Sequence, residues 1–345
     1  MRERILVGMS GGVDSSVTAC LLAKEHDVIG VTLQLHDACG GAADDARRVC
    51  QTLGIPHYIS DQSSVFQQYV IDNFISEYRA ARTPNPCVWC NYHIKFGAML
   101  ALADELGCTA VATGHYVTRG FDEVTGEYYL APAACAEKDQ TYALYRLTQA
   151  QLRRARFPLA ALAKPAVRAI AQELGLSVAE KKDSQEICFI PDHDYAAYIE
   201  RATGEVSAPG DFIGPDGTVL GRHRGLIHYT VGQRRGLNIP YGERLYVARL
   251  DAAQNAVILG TEGAQNTREV FASDLTFLSD HAPPSRFDCE AKIRYNGRAA
   301  AATAELSGDM MRVLFRDEQR AAAPGQSVVL YQNGRLLGGG IMKVR

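Results

Sequence analysis

No stretch of about 18 uninterrupted apolar residues occurs in this sequence, so no helix that could cross a bilayer is expected. The opening segment, MRERILVGMSGG, lacks the apolar run and small-residue cleavage site of a secretory leader, and a cytoplasmic chain is expected. Nor does one sign of charge dominate. A net charge of −3 and a pI near 6.3 argue against a protein coated in positive charge, although a local basic surface still docks phosphates on such a chain. There is no internal repeat and no low-complexity tract. The nine cysteines form no regular series; an odd count at irregular spacing argues against a disulfide framework.

What is present is an ordinary globular composition over 345 residues, enough for two or three cores. In the first half, short apolar runs at 4–9, 27–33, 56–60 and 109–113 read as buried parallel strands. Amphipathic stretches at 14–25, 43–53 and 91–106 separate them, and a further helix is expected at 166–174 behind Pro165. That alternation predicts a doubly wound α/β sheet. From about residue 205 glycine and proline become frequent; 244–250 and 256–259 flank Asp251 to Asn255 like strands around a turn. Alternating strands at 286–295, 300–306, 311–316, 327–332 and 335–343 predict a small β-barrel. The expected division is residues 1–200 for the α/β domain, 201–262 for a small mixed or β central domain, and 263–345 for the barrel.

The sharpest local signal is Ser10-Gly11-Gly12-Val13-Asp14-Ser15-Ser16, which follows a strand and opens a helix. Adjacent glycines turn the backbone tightly and expose N–H groups, and the helix adds its positive dipole end. Hydroxyls of Ser10, Ser15 and Ser16 are expected to donate to the same anion. A P-loop is excluded, because no Gly-Lys pair occurs, and Gly8, Gly11 and Gly12 are wrongly spaced for a dinucleotide fingerprint. The plain alternative is a glycine turn with Asp14 or Ser15 as helix cap.

Three cysteines stand in unusual surroundings. Cys20, Cys50 and Cys108 fit as core fillers, and Cys39, Cys135 and Cys289 carry no reading. In TPNPCVWCN (83–91) two prolines restrain the backbone ahead of a helix expected from 91, placing Cys90 at a helix start, where the dipole favours the thiolate. In KKDSQEICFIP, Cys188 sits among apolar residues behind Lys181 and Lys182. If a mobile loop lets Cys188 reach Cys90, the pair suits persulfide chemistry, one sulfur carrying the transferable atom and the other resolving by disulfide formation. The alternative is two unrelated cysteines.

The loop SGGVDSS resembles the signature of the PP-loop ATP pyrophosphatases. GMSGGVDSSV, TPNPCVWCN, ATGHY (112–116), AEKDQTYAL (136–144), KKDSQEICFI (181–190) and HYTVGQRRGL (228–237) follow the order seen in the tRNA-specific 2-thiouridylases, over nearly the whole chain. That resemblance implies a tRNA sulfurtransferase that adenylates the 2-oxygen of a wobble uridine with ATP and Mg²⁺. It implies ATP contacts at Gly8, Met9, Ser10, Gly11, Gly12, Val13, Asp14, Ser15, Leu33 and Gly114, with Asp14 organising the metal or the loop. Cys90 would be the nucleophile and Cys188 the persulfide carrier, joined as a redox disulfide. Asn85, Pro86 and Cys87 would lie beside the target base. His115, Lys138, Asp139, Gln140, Arg294, Tyr295 and Gln326 would contact tRNA. The implied partners are the tRNAs for Glu, Gln and Lys and an upstream persulfide donor or relay protein.

One position departs from the family pattern: Cys87 stands where the best-studied members have an acidic residue. Cys87, Cys90 and Cys188 could then ligate a [4Fe–4S] cluster, an alternative sulfur source. Zinc on Cys87, Cys90 and His93 is the other metal reading, without a fourth ligand. Arg222, Arg224, Arg234 and Arg235 are candidate phosphate contacts or a solvated face, and Tyr229 and Tyr295 either stack on bases or pack.

Overall fold

The computed structural model of the chain describes residues 2–36, 40–181 and 187–343. Cys39 and Lys182 lie outside the described residues. Strands β1 (Arg4–Gly8), β2 (Asp27–Gln34), β3 (His57–Asp61), β4 (Ala110–Ala112) and β7 (Ala155–Arg156) form one parallel sheet in the order β3-β2-β1-β4-β7. Ile5 and Val7 of β1 face a cluster with Val17, Val49 and Val167, while Leu6 faces the opposite cluster with Phe96, Met99 and Ala103. Both faces of the central strand are buried, which is why it reads as a continuous apolar run. The chain leaves β1 toward β2 on one side and returns to β4 on the other, so the switch point of the sheet lies at the carboxyl end of β1, where open α/β sheets bind ligands.

A hairpin of β5 (Val117–Asp122) and β6 (Glu127–Pro132) follows β4. The central segment carries β8 (Gly210–Ile213), β9 (Val219–His223), β10 (Tyr246–Asp251) and β11 (Ala256–Gly260) in one sheet, ordered β10-β11-β8-β9. Tyr229 is buried there against Phe212 and His223, so it packs and has no free stacking face. The last segment is a closed six-stranded barrel, β12 (Asn266–Phe277), β15 (Met310–Arg320), β14 (Ala300–Ser307), β13 (Arg286–Lys292), β16 (Ser327–Gln332) and β17 (Arg335–Met342). The sequence pattern does not reveal β12. Its ladder shifts register between Thr267 and Glu269 and again between Ser273 and Thr276, which breaks the alternation that marks a strand.

The barrel is welded to the α/β domain. Val329, Tyr331 and Leu336 belong to the same buried cluster as Leu6 and Phe96. Tyr142 donates to the Ser327 carbonyl at 2.8 Å, and Arg146 pairs with Asp274 at 2.9 Å while stacking on Trp89.

Candidate active site

The phosphate loop occupies the switch point. Gly12 is the cap residue of the helix Val13–Ala23, with no side-chain cap bond. Gly11 has φ +65°, and a β-carbon there would lie 2.4 Å from the Ala42 carbonyl oxygen; both facts require glycine. The serines divide. Ser10 is exposed and exchanges hydrogen bonds with Ser15, but Ser16 is fully buried and donates to the Gly12 carbonyl at 2.8 Å. The expectation that all three hydroxyls face an anion is therefore corrected: Ser16 closes the first turn of the helix. Asp14 does not cap the helix. Both its oxygens accept from Lys164 Nζ at 2.7 Å, and the Tyr116 hydroxyl donates to Oδ1 at 2.7 Å. Its carboxylate organises the loop.

Gly114 follows β4 and presses on that turn: a β-carbon there would sit 2.9 Å from the Asp14 backbone and from the Ser15 nitrogen. Leu33, near the end of β2, packs against both the central cluster and the cluster that holds Cys90. Gly8 to Ser15, Leu33 and Gly114 thus gather around one end of the sheet.

The second half of the site begins earlier than the sequence suggests. The Asn85 side chain accepts from the Cys87 backbone N–H at 3.2 Å and Pro86 takes the first turn, so the helical run starts at Pro86–Trp89, not at 91. It continues as a π-helical stretch, Cys90–Ala98, and then Met99–Glu105. Cys90 is therefore one turn inside the helix, away from the free N–H groups. It is 7% exposed, and burial pushes its thiol up to about 12, opposed by Lys95 and reinforced by Cys188 and Cys87. The expected thiolate is not favoured in this state; desolvation outweighs the dipole. Cys87 is exposed as a residue, yet burial of its sulfur raises that thiol as well, again against Lys95.

Cys188 comes to the same place. It is exposed, and its neighbours Ile187, Phe189 and Ile190 pack into the cluster of Phe66, Val70, Phe74, Ile94 and Cys90. Phe189 meets Phe66 and Phe74 edge-on at 5.6 and 5.3 Å. The three thiols carry no disulfide, and the charges of Cys87 and Cys188 act directly on Cys90. Lys181, ahead of this segment, donates to the Gly11 carbonyl at 2.9 Å and pairs with Asp45 at 2.7 Å, tying it to the phosphate loop.

The metal readings do not fit these residues. Among the described residues, no three or more Cys, His, Asp or Glu side chains are disposed to hold a metal ion. His93 lies flat between Tyr69 at 4.0 Å and Trp89 at 5.7 Å, and burial and Arg146 keep it neutral.

Several residues expected to meet tRNA are turned inward. His115 is 7% exposed, shares a 2.7 Å hydrogen bond with Thr113, and burial and Lys95 hold its pKa well below the ordinary value. Gln326 donates to the Thr83 and Pro84 carbonyls at 3.0 Å each and clamps the Asn85–Cys87 segment to the barrel. Gln140 joins Tyr116 through both its backbone and its side chain and bonds the Tyr295 hydroxyl, while Asp139 accepts from Thr141. Lys138 is half-buried; Arg294 and Tyr295 are exposed, and the Tyr295 hydroxyl feels Cys87 and Asp139. Arg224, Arg234 and Arg235 are exposed, whereas Arg222 pairs with Asp211.

Sequence reasoning missed Lys95 and Lys164. Lys95 is five residues beyond Cys90, and only the wider π-turn brings it onto the face where it acts on Cys87, Cys90 and His115. An isolated lysine 150 residues from Asp14 carries no sequence signal at all.

The family described as tRNA methyl transferase HUP domain matches residues 3–192, its PRC-barrel domain residues 197–261, and the aminomethyltransferase beta-barrel domain residues 267–342. The tRNA-specific 2-thiouridylase MnmA of Acetivibrio thermocellus is 44% identical over 99% of both chains. Its namesake in Heliobacterium modesticaldum is 46% identical over 99% of this chain and 92% of that one. Among solved structures, the U34-tRNA thiolase NcsA of Methanococcus maripaludis with its [4Fe-4S] cluster aligns over 58% of this chain and 66% of that one. Its identity of 19% and TM-score of 0.36 are too low to bear on the site.

Proposed function

The chain belongs to the tRNA-specific 2-thiouridylases, ATP-dependent tRNA sulfurtransferases, and we propose that it adenylates the 2-oxygen of a wobble uridine and replaces it with sulfur from Cys188. The uridine O2 attacks the α-phosphorus of ATP, the bond to the β-phosphate oxygen breaks, pyrophosphate leaves, and the N3 proton passes to solvent. Mg²⁺ arrives with the nucleotide as part of the substrate. The backbone N–H groups of Gly11 to Val13 and the Ser10 hydroxyl hold the phosphates, and the helix dipole favours the leaving charge. The base leaves its stack to reach C2, beside Asn85, Pro86 and Cys87.

A persulfide on Cys188 then attacks C2 through its terminal sulfur and AMP departs with the C2–O bond. Cys90, losing its proton, attacks the Cys188 Sγ; the S–S bond breaks, and the new sulfur stays on uridine, which takes a proton back at N3. A Cys90–Cys188 disulfide remains for reduction by a thiol reductant, and a persulfide donor protein reloads Cys188. The acceptors are the tRNAs for Glu, Gln and Lys.

The observation that carries this reading is the packing of Cys90 and the Cys188 segment in one apolar cluster that includes Leu33, next to Thr32, whose hydroxyl donates to the Met9 carbonyl of the phosphate loop at 2.9 Å. The test is a thiolation assay with ATP, tRNA and a persulfide donor under anaerobic, iron-free conditions. The reading expects 2-thiouridine from the parent, none from Cys188→Ala or Cys90→Ala, and tRNA-dependent pyrophosphate release from all three. Sulfur transfer that stays intact in Cys188→Ala, or that needs added iron, would overturn it.

A further inference from the structure

At the seam between barrel and α/β domain, Lys292 ends β13 and points its ammonium toward two rings, 5.7 Å from the centre of Tyr142 and 5.8 Å from that of Tyr295. The residue is half-buried. Among the described residues no carboxylate, carbonyl or hydroxyl pairs with its ammonium at hydrogen-bonding distance; Asp139 acts on it only from further away. The two rings offset part of the lost hydration. A partly desolvated cation without an anionic partner is costly unless something supplies one.

Its surroundings identify the missing anion. Tyr295, which shares the cation, is exposed on one side and lies in the field of Cys87. Arg294 and Arg298, just beyond β13, are exposed as well. A half-buried lysine against an exposed aromatic ring, with exposed arginines close by in the chain, suits a nucleic-acid backbone with a base against the ring. Lysine holds a phosphate as a point charge and needs no bidentate geometry.

We propose that Lys292 binds the tRNA backbone phosphate next to the target uridine and so sets how deeply that nucleotide enters beside Cys87. This assignment rests on the thiouridylase reading above, which places tRNA at this surface.

The experiment compares parent, Lys292→Met and Lys292→Arg for tRNA affinity across a salt series, for ATP affinity without tRNA, and for thermal melting. Methionine keeps the apolar stem that touches the two rings and removes only the charge. The expected result at low salt is about tenfold weaker tRNA binding by Lys292→Met, with the slope of log K against log salt smaller by about 0.9, the value of one phosphate contact. Lys292→Arg should restore both, and ATP affinity and melting should stay at the parent value. Unchanged tRNA affinity, weaker binding at an unchanged slope, or a loss confined to ATP would each overturn the assignment. A parent that binds no tRNA at all would remove the functional reading itself, and this proposal with it.

Discussion

Cys90 should be a slow thiol until substrate arrives. Its pKa is pushed up from the ordinary 9.0 to about 12 by burial. At pH 8 the ionised fraction is then about one in ten thousand, against about one in ten for an unperturbed thiol. Thiolate-dependent alkylation should be roughly a thousandfold slower than for a free cysteine. The assay is isotope-coded iodoacetamide labelling from pH 7 to 10, read peptide by peptide, so that exposed Cys87 and Cys188 do not mask Cys90. The rate at Cys90 should climb about tenfold per pH unit without a plateau. Lys95→Met should slow it further, since Lys95 is the charge that opposes the shift. A plateau near pH 8, or a rate matching free cysteine, would refute the claim that desolvation dominates here. Catalysis needs the thiolate that the resting site suppresses, so tRNA and ATP should accelerate labelling.

Gly11→Ala places a β-carbon 2.4 Å from the Ala42 carbonyl oxygen at φ +65°; a loss of about 2 kcal/mol or more in unfolding free energy and of measurable ATP binding is expected by denaturant titration and calorimetry. Asp14→Asn uncouples Lys164, which is 12% exposed, and should cost about 2 kcal/mol in stability and weaken ATP binding, while tRNA affinity stays unchanged. Gln326→Met removes two 3.0 Å hydrogen bonds to the Thr83 and Pro84 carbonyls. It should lower kcat for thiolation without weakening ATP binding, because it loosens the Asn85–Cys87 segment and leaves the phosphate loop alone.

The α/β sheet was legible because β1 and β2 are buried on both faces and carry unbroken apolar runs, and the glycine turn lies between a strand and a helix as its residues require. The barrel was legible in five of its six strands, the sixth being hidden by two register shifts. The site was legible where backbone chemistry leaves a mark, as at Gly11, and where a cysteine stands out. It was illegible where tertiary contacts decide. Nothing local shows that Asp14 will find Lys164, that His115 will turn into the core, or that Gln326 will spend its amide on Thr83 and Pro84. Cys90 lies one turn further into the helix than expected, because Asn85 and Pro86 start it before the apolar periodicity begins, and burial reverses the sign of its expected pKa shift.

Sulfur transfer by this route requires the sulfurs of Cys90 and Cys188 to meet during turnover. A single-turnover reaction of persulfide-loaded protein with ATP and tRNA, run without reductant and digested under acid quench, measures this directly by peptide mass spectrometry. One Cys90–Cys188 crosslinked peptide should appear for each 2-thiouridine formed. Full thiolation with both cysteines recovered as free thiols, or with Cys188 linked elsewhere, would contradict it.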